Sequence, residues 1–513
     1  MTNAPNNDAN ADAFNLATAC LEQHATDPSS AHRTAFTFIA ADDSQSWTYA
    51  AVWAEVQRIA RGLLAHGLTP DERVLIRLPH SPQYAFAFFG ANAAGLVPIP
   101  ASPQLTDEEA RFLATDSEAS ALITTPAGLL DGFTGLVLLE DDLARIDGPG
   151  PLPVTHAEDP AYMLYTSGTT ARPKGVLHAQ RVLRAREWMR GDAWQGLTSD
   201  DVTLHAGTLN WSYTLGVGLM DPWCAGAHAI LAASGVTPAQ WPTLIAQHGI
   251  TVFVAVPTVY RQLLKYGRPE DVNLETLRHG LCAGEALPNS VASEWEQRVG
   301  VPLYESLGMT EISTYISSGP GVPTHEGSPG RPQPGRRVAI LPEDPADGDA
   351  PLPDDGTPGL LAIHRSDPGL MLGYWHRPAE QEAAMRGEWF TGGDRAAIDS
   401  DGYVWFHGRA DDVIKSFGYR LSPVEIEDAL ATYPGVADIA VVGHTVDAEK
   451  TLVTACIVAE PNVNLEEAAL RAHAALRLAG YKQPHEYRFV DSLPRTANGK
   501  LQRTVLVSRL RAE

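Results

Sequence analysis

The chain has 513 residues, of which 44% are hydrophobic and 19% charged, a balance typical of folded globular proteins rather than disordered ones. Lys and Arg total 38 against 62 Asp and Glu, which gives a net charge of −24. A field of this sign repels a nucleic-acid backbone and an anionic lipid surface, so we expect neither as the main partner. It does not exclude a small phosphorylated ligand, because backbone amides and one or two cations can hold a phosphate inside an acidic protein.

Targeting and redox features are weak in this sequence. The first dozen residues lack the basic and apolar segments of a signal peptide, and the most apolar stretch, residues 84–101, is interrupted by Asn92, Gly95 and Pro98. We therefore expect no stable membrane insertion and a cytoplasmic location.

The cysteines are isolated, so we expect reduced, buried thiols and neither a zinc site nor a disulfide framework. They are Cys20, Cys224, Cys282 and Cys456.

Strand-type apolar runs alternate with helical patterns along most of the chain. Residues 73–78 and 251–256 predict strands, residues 84–100 a core helix followed by a strand, and residues 238–248 a helix. This alternation predicts an α/β protein with largely parallel sheets. From residue 319 to 368, Pro and Gly become frequent and the runs shorten, which predicts a small β subdomain.

The pattern changes again near residue 409. Residues 423–432 predict a helix, with Ser422 as its N-cap and Pro in the first position. Two strands and another helix follow, over residues 439–442, 452–458 and 465–478. We therefore predict an N-terminal domain over residues 1–410 and a compact α+β domain over residues 411–513.

The strongest local signal is the segment YTSGTTARPKG, residues 165–175, which follows a predicted strand over residues 161–164. Its hydroxyls and glycines suit a phosphate, because Gly lets the backbone approach a ligand and successive amides form a nest for oxygen atoms. Lys174 adds a mobile positive charge. The segment lacks the glycine-rich spacing that ends in Gly-Lys-Ser or Gly-Lys-Thr, so a Walker-type ATPase is not supported. A plain Ser/Thr/Gly surface turn is the alternative interpretation.

This segment resembles the signature of the adenylate-forming superfamily, which includes acyl- and aryl-CoA ligases, carrier-protein adenylation domains and luciferases. Residues 307–311, 391–394, 408–415 and 494–500 resemble four further motifs of that family, in the same order. The resemblance covers almost the whole chain. It implies a large N-terminal domain of parallel-sheet α/β subdomains with a small β subdomain, followed by a small mobile α+β C-terminal domain.

The resemblance also implies which residues serve ATP and Mg²⁺. Lys500 would neutralise the α-phosphate and contact the substrate carboxylate, and Glu311 would hold Mg²⁺ with Thr166 nearby. Asp394 would accept the ribose hydroxyls, with Arg409 donating to the same sugar. The other residues expected at the nucleotide are Ser167, Gly168, Thr169, Thr170, Lys174, Gly284, Glu285, Ala286, Glu305, Ser306, Leu307, Gly308, Met309, Thr310 and Arg420.

One of these positions departs from the usual family pattern. Many members place Tyr directly before the Gly of the second motif, where its ring stacks on adenine, whereas this chain has Leu307. An apolar wall still packs a purine, but the aromatic face is lost. Since some aryl-CoA ligases also lack the aromatic residue there, the departure favours that branch, and the chain resembles benzoate–CoA ligases.

The second half of the family's reaction needs a thiol to reach the adenylate. In the family the C-terminal domain rotates about a hinge residue, which Asp411 matches here. The rotation would replace the Lys500 loop by a loop that contacts CoA. The CoA-binding residues expected by this resemblance are Lys415, Ser416, Phe417 and Gly418, the last leaving room for a pantetheine arm.

The resemblance also locates an acyl pocket, which we expect to be compact, aromatic and mostly uncharged. Its predicted residues are Trp211, Tyr213, Leu215, Ala283, Gly308, Ile312 and Tyr315. Adenylation domains usually carry Asp where this chain has Asn210, which counts against an amino acid substrate. The expected substrate is therefore a small aromatic, cyclic or short- to medium-chain acid. The alternative that Trp211 and Tyr213 are ordinary core residues stays open.

These observations favour an AMP-forming acid–CoA ligase that uses ATP, Mg²⁺ and CoA and takes a small-molecule carboxylic acid as its partner. A freestanding adenylation enzyme that loads a carrier protein is the alternative. A degenerate, non-enzymatic nucleotide-binding module would be expected to lose Lys500, Glu311 or Asp394, and the chain keeps all three. The sequence leaves the oligomeric state open, with a homodimer as one option.

Overall fold

The structure is a computed structural model that describes residues 13–40, 43–166, 173–409, 414–416, 419–445, 451–478, 480–495 and 501–512. The chain divides into two compact units. The first unit comprises Met1–Arg337 and His364–Glu388, and the second comprises Val338–Ile363 and Trp389–Glu513.

Helices and strands alternate along most of the chain, as the sequence predicts. The α-helices are α1 (Leu16–Thr26), α2 (Tyr49–Ala65), α3 (Pro82–Ala93), α4 (Asp107–Asp116), α5 (Glu140–Leu143), α6 (Val182–Arg190), α7 (Ser212–Leu215), α8 (Asp221–Ala225), α9 (Trp241–Gln247), α10 (Pro257–Tyr266), α11 (Asn289–Val299), α12 (Pro378–Ala383), α13 (Pro423–Ala431), α14 (Glu467–Arg477) and α15 (Arg503–Ala512).

The first unit contains two short strands at residues 373–374 and 385–386 together with the strands β1 (Thr34–Ile39), β2 (Ser44–Thr48), β3 (Arg73–Arg77), β4 (Val97–Pro100), β5 (Ala119–Thr124), β6 (Leu136–Leu139), β7 (Pro160–Thr166), β8 (Lys174–Ala179), β9 (Val202–His205), β10 (His228–Ala232), β11 (Val252–Ala255), β12 (His279–Ala283), β13 (Leu303–Met309), β14 (Ser313–Ser317) and β15 (Arg331–Pro332). Those that follow are β16 (Val338–Leu341), β17 (Gly359–His364), β18 (Gly373–Tyr374), β19 (Met385–Arg386), β20 (Trp389–Ile398), β21 (Val404–Arg409), β22 (Ile414–Ser416), β23 (Tyr419–Leu421), β24 (Val436–Thr445), β25 (Thr451–Ala459) and β26 (Glu486–Phe489).

Parallel pairing dominates the two larger sheets of the first unit. A nine-stranded sheet has the order β15-β14-β13-β12-β11-β9-β10-β1-β2, parallel from β1 to β13 and antiparallel at both ends. A four-stranded sheet, β4-β3-β5-β6, is parallel throughout. The third sheet, β18-β8-β7, is antiparallel. The predicted α/β fold class with largely parallel sheets is therefore confirmed.

The largest core of the first unit packs α1, α2 and α3 against one end of the nine-stranded sheet. Phe36, Phe89 and Trp223 are buried there, and the Trp223 Nε1–H donates to the Ala35 carbonyl at 3.0 Å. The apolar stretch that ends at residue 101 forms α3 and β4, the core helix and strand expected from its sequence. Within the described residues, no helix has the length and apolar character required to cross a membrane.

The second unit holds an antiparallel sheet and a smaller α+β part. Strand β20 pairs with β17 and β21. In the α+β part, β24 and β25 form a long hairpin, β25 also pairs with β26, and α13 and α14 pack against the hairpin. The Ser422 hydroxyl accepts from the Glu425 N–H and Pro423 occupies the first turn of α13, which confirms the predicted helix start. The domain boundary after residue 410 stays a prediction.

All four cysteines are free thiols, as expected. Three are buried, whereas Cys224 is partly exposed. The fold brings Cys20 of α1 and Cys224 of α8 together, with 3.4 Å between their sulfur atoms. This proximity is not visible in the sequence, because the two residues lie on helices far apart in the chain.

Candidate functional site

The hydroxyl- and glycine-rich segment connects two paired strands. Thr166 ends β7 and Lys174 begins β8, and the two residues are direct partners in the antiparallel register. The predicted phosphate ligands Ser167, Gly168, Thr169 and Thr170 lie outside the described residues. The hairpin therefore fixes both ends of the segment and places the Lys174 side chain at its exit.

Lys174 is surrounded by one acidic and one aromatic side chain. Its Nζ forms an ion pair with Glu380 of α12 and lies 5.4 Å from the ring centroid of Tyr374 in β18. Tyr374 pairs with Val176 of β8, so the third strand of this sheet carries the aromatic ring to the lysine. A cation over a tyrosine face is attracted by the negative face of the ring.

Glu311 lies in the turn between β13 and β14, where Met309 and Ser313 pair. Its Oε1 accepts a hydrogen bond from the Tyr374 hydroxyl at 2.8 Å, and its carbonyl accepts from the Met371 N–H at 2.8 Å. The turn thus holds a partly buried carboxylate in a defined orientation on the same tyrosine that contacts Lys174.

A buried histidine forms a hydrogen bond with the backbone of Thr310, the residue before Glu311. The His178 Nε2 lies 2.9 Å from the Thr310 carbonyl, so Nε2 carries the proton and donates. Burial lowers the pKa of His178 to about 4, and its ring stacks on Tyr162 with centroids 4.7 Å apart. His178 is therefore neutral over the physiological pH range and acts as a fixed donor to the turn.

The carboxylate of Glu311 suits Mg²⁺ but does not form a closed protein cage. Within the described ranges, no group of three or more His, Cys, Asp or Glu side chains could hold a metal ion. Mg²⁺ commonly keeps several waters and binds one or two carboxylates together with substrate phosphates. The donor set around Glu311 fits an ion of this kind that arrives with a polyphosphate.

The residues predicted at the adenine lie at the carboxyl ends of β12 and within β13. The Glu285 carboxylate accepts from the Thr258 hydroxyl at 2.7 Å, and Gly284 and Ala286 beside it are exposed. Glu305 accepts from the Leu287 N–H at 2.9 Å. Burial raises the pKa of Glu305 to about 7, although the Leu287 N–H opposes the shift.

Strand β13 bends where the second motif begins. The register of β13 and β14 shifts between Leu307 and Gly308, and a Cβ on Gly308 would lie 2.4 Å from the Ser313 carbonyl oxygen. Only glycine fits at this position without moving backbone. The Ser306 hydroxyl donates to the Ile316 carbonyl at 2.8 Å, so it stabilises the strand pair.

Three of the predicted acyl-pocket residues meet in one aromatic cluster. Trp211 and Tyr213 have ring centroids 5.3 Å apart, and both pack in a cluster that includes Ala283. Gly284 has φ +89°, and a Cβ there would lie 3.2 Å from Trp211 Cζ2. The indole therefore lies beside the exposed glycine that follows β12, and the positive φ at this position favours glycine.

The remaining pocket residues are more deeply buried. Ile312 and Tyr315 are almost inaccessible to solvent. Leu215 lines a narrow cavity of about 20 Å³, which has room for one ordered water. Its other lining residues include Tyr162, Arg186, Ser212, Thr310 and Ser313.

In the second unit, the two predicted ribose ligands contact each other. Arg409 Nη1 lies 3.2 Å from Asp394 Oδ1 and donates to the Gly392 carbonyl at 2.6 Å. Asp394 and Arg409 are register partners in β20 and β21. The ion pair is partly exposed on the arginine side, whereas the Asp394 carboxylate is buried.

Two of the predicted CoA residues, Lys415 and Ser416, lie in β22, where Lys415 is the register partner of Arg420 in β23. The Ser416 hydroxyl donates to the Thr451 carbonyl at 2.6 Å, which fixes this strand to β25. The remaining predicted site residues of the second unit lie outside the described residues. They are Asp411, Phe417, Gly418 and Lys500.

Sequence reasoning missed the residues that support the charged groups. Tyr374 and Glu380 were assigned no role, and His178 was not given one either. The Gly-Tyr-Trp run at residues 373–375 was the available signal, because two aromatic residues after a Pro/Gly-rich segment are unusual in a plain turn.

Comparison with known proteins identifies the family of this chain. A family model described as "AMP-binding enzyme" matches residues 21–375, and one described as "AMP-binding enzyme C-terminal domain" matches residues 425–500. The chain therefore belongs to the AMP-binding enzyme family, which confirms the resemblance to adenylate-forming enzymes.

Individual relatives cover nearly the whole chain. A benzoate–CoA ligase of Thauera aromatica is 33% identical over 91% of this chain and 92% of its own length. A 3-hydroxybenzoate–CoA ligase of Aromatoleum sp. strain CIB is 31% identical over 91% of this chain and 92% of its own. The crystal structure of a benzoate–CoA ligase from Burkholderia xenovorans LB400 superposes with a TM-score of 0.85 at 29% identity, covering 96% of this chain and 99% of that one.

Proposed function

We propose that this protein is an ATP-dependent CoA ligase that activates an aromatic carboxylic acid, with benzoate-like acids as the substrate class. The observation that carries the proposal is the 33% identity to a benzoate–CoA ligase over nine-tenths of both chains. The aromatic cluster of Trp211 and Tyr213 supports it, because flat apolar walls suit a benzene ring. ATP and CoA are substrates of this reaction.

The reaction has two steps. A carboxylate oxygen of the acid attacks the α-phosphorus of ATP, pyrophosphate leaves, and an acyl-adenylate forms. The CoA sulfur then attacks the acyl carbonyl carbon, its thiol proton is released, and AMP leaves as the thioester forms. The first step creates and redistributes charge on phosphate oxygens, so positioned cations contribute most of the acceleration.

The residues of the first unit divide these tasks. Thr166 and Lys174, at the two ends of the hydroxyl-rich segment, bind the polyphosphate. Glu311 holds Mg²⁺, which neutralises phosphate charge when bound. Glu285 and Glu305 flank the adenine, and the main support for this assignment is their location beside the exposed Gly284.

The residues of the second unit serve the sugar, the α-phosphate and the thiol. Asp394 binds the ribose hydroxyls, and Arg409, which contacts Asp394, donates to the same sugar. Lys500 contacts the α-phosphate in the first step, Arg420 reaches the phosphates, and Asp411 is the hinge for the second step. These roles and the cytoplasmic location rest on family resemblance and sequence, and they stay predictions, while the oligomeric state stays open, with a homodimer as one option.

A substrate panel tests the proposal. The purified protein is given ATP, Mg²⁺ and CoA with benzoate, hydroxybenzoates, aminobenzoates, cyclohexanecarboxylate and fatty acids of increasing length. We expect pyrophosphate release and thioester formation, read by mass spectrometry, with the aryl acids preferred. A phosphopantetheinylated carrier protein replaces CoA in a parallel arm. Transfer to the carrier but not to CoA, or a preference for fatty acids, would contradict the proposal.

A further inference from the structure

Tyr374 contacts the two charged side chains proposed to serve the polyphosphate. Its hydroxyl donates to Glu311 Oε1 at 2.8 Å, and its ring centroid lies 5.4 Å from Lys174 Nζ. One side chain thus presents a donor to an anion and an aromatic face to a cation. All three residues lie in the first unit.

The backbone of Tyr374 is held in place independently of these contacts. Gly373 and Tyr374 form β18, whose residues pair with Leu177 and Val176 of β8. The Tyr374 N–H also donates to Gln381 Oε1 at 3.3 Å. Because β8 begins at Lys174, the strand that positions the lysine also positions the tyrosine.

The turn that carries Glu311 is fixed through its carbonyl groups. His178 donates to the Thr310 carbonyl and Met371 to the Glu311 carbonyl. These contacts fix the backbone but leave the carboxylate free to rotate. In the part of the chain that the structure describes, Tyr374 is the hydrogen-bond partner that orients the Glu311 carboxylate.

We propose that Tyr374 is a positioning residue of the polyphosphate site, which sets the Glu311 carboxylate and the Lys174 ammonium in one fixed arrangement. A metal–triphosphate complex carries a cation and anionic oxygens at a fixed separation, so it needs an anion and a cation in matching places. Tyr374 supplies that match without contacting the reacting atoms. The inference rests on the proposed roles of Glu311 and Lys174 toward Mg²⁺ and ATP.

Two substitutions separate the two contacts. Tyr374→Phe removes the hydroxyl bond to Glu311 and keeps the ring beside Lys174, whereas Tyr374→Leu removes both. Tyr266→Phe is the matched control, because Tyr266 is exposed in the same unit and its ring lies 5.3 Å from the Lys265 Nζ. The control removes a tyrosine hydroxyl beside a lysine outside the proposed site.

Calorimetric titrations of Mg·ATP, of ATP with EDTA and of AMP provide a readout that does not depend on turnover. We expect Tyr374→Phe to weaken Mg·ATP binding about tenfold, since a hydrogen bond to a charged group is lost, and to leave AMP binding unchanged. With EDTA the Phe variant should match the parent, while Tyr374→Leu should still bind ATP more weakly. Thermal unfolding of each variant is measured in parallel.

Two results would overturn the inference. Unchanged Mg·ATP affinity in Tyr374→Phe would show that the hydroxyl does not position Glu311. An equal loss for Mg·ATP and AMP, accompanied by a lower melting temperature, would assign Tyr374 a general structural role. Failure of the proposed function looks different: no acid would yield a thioester, while the metal-dependent effect of Tyr374→Phe on ATP binding would persist.

Discussion

Lys174 and Glu380 form an ion pair between the first residue of β8 and helix α12. The lysine is the proposed polyphosphate-binding cation at the end of the hydroxyl-rich segment, and Glu380 Oε1 also lies 3.8 Å from Arg377 Nε. A triphosphate that binds Lys174 must compete with this carboxylate. The chain therefore carries an internal anion next to the proposed phosphate cation.

Glu380→Gln should strengthen polyphosphate binding. The amide keeps the shape of the side chain but removes the competing charge, so we expect ATP and pyrophosphate to bind more tightly. The gain should be only about threefold, because the Lys174–Glu380 ion pair is partly exposed and therefore weak. The measurement is the dissociation constant of ATP and of pyrophosphate for the parent and for Glu380→Gln, each at low and at moderate salt. The matched control is Glu382→Gln on the exposed side of the same helix, which should change neither constant. Weaker binding in Glu380→Gln would mean that the carboxylate orients the lysine rather than competing for it.

Lys500→Ala should abolish adenylation and spare the thiol step. The ammonium is proposed to neutralise the α-phosphate only while pyrophosphate leaves, so we expect a loss of about 10²–10³-fold in pyrophosphate release. Thioester formation from a supplied acyl-adenylate should keep the parent rate. Lys265→Ala, a substitution beside an exposed tyrosine in the first unit, serves as the control. Equal losses in the two half-reactions would remove Lys500 from this role.

Glu305 should make stability depend on pH. Burial raises the pKa of Glu305 to about 7, above that of an unfolded glutamate, so the folded protein binds the proton more tightly. The stability that the protonated Glu305 carboxyl contributes is fully present below about pH 4.5 and is lost as the pH rises toward 7. Denaturant unfolding across that window should show Glu305→Gln gaining stability relative to the parent as the pH rises, by at most ~3 kcal/mol. A constant difference between the two proteins across the window would contradict the assignment.

Trp211→Ala should change the acid preference more than the ATP affinity. The indole lies beside Gly284 and packs on Tyr213, so its removal opens one wall of the proposed acyl pocket. We expect bulkier aryl acids to gain relative to benzoate in kcat/KM, with the KM for ATP within about twofold of the parent, since a wall residue affects mainly the ligand beside it. Trp211→Phe keeps an aromatic wall and should retain most of the parent's preference. Unchanged selectivity in Trp211→Ala would place the indole outside the pocket.

The sequence predicted the α/β class, the core helix and strand that end at Pro100, and the start of α13, because each depends on local periodicity or capping. It also located the hydroxyl-rich segment and the turn of Glu311, since family motifs are contiguous. It gave no role to Tyr374, Glu380 or His178. Their contacts with Glu311, Lys174 and the Thr310 carbonyl join elements that are distant in the chain, and local periodicity does not encode such partners.

The backbone contact at Gly308 limits how this protein can be redesigned. A methyl group there would meet the Ser313 carbonyl oxygen at 2.4 Å and Thr314 Cα at 2.7 Å, so any larger residue would displace the turn that carries Glu311. Libraries that aim to broaden the acid scope should therefore leave Gly308 untouched. Diversity introduced at Trp211 should reshape the proposed acyl pocket while the strand bend and the turn of Glu311 keep their geometry.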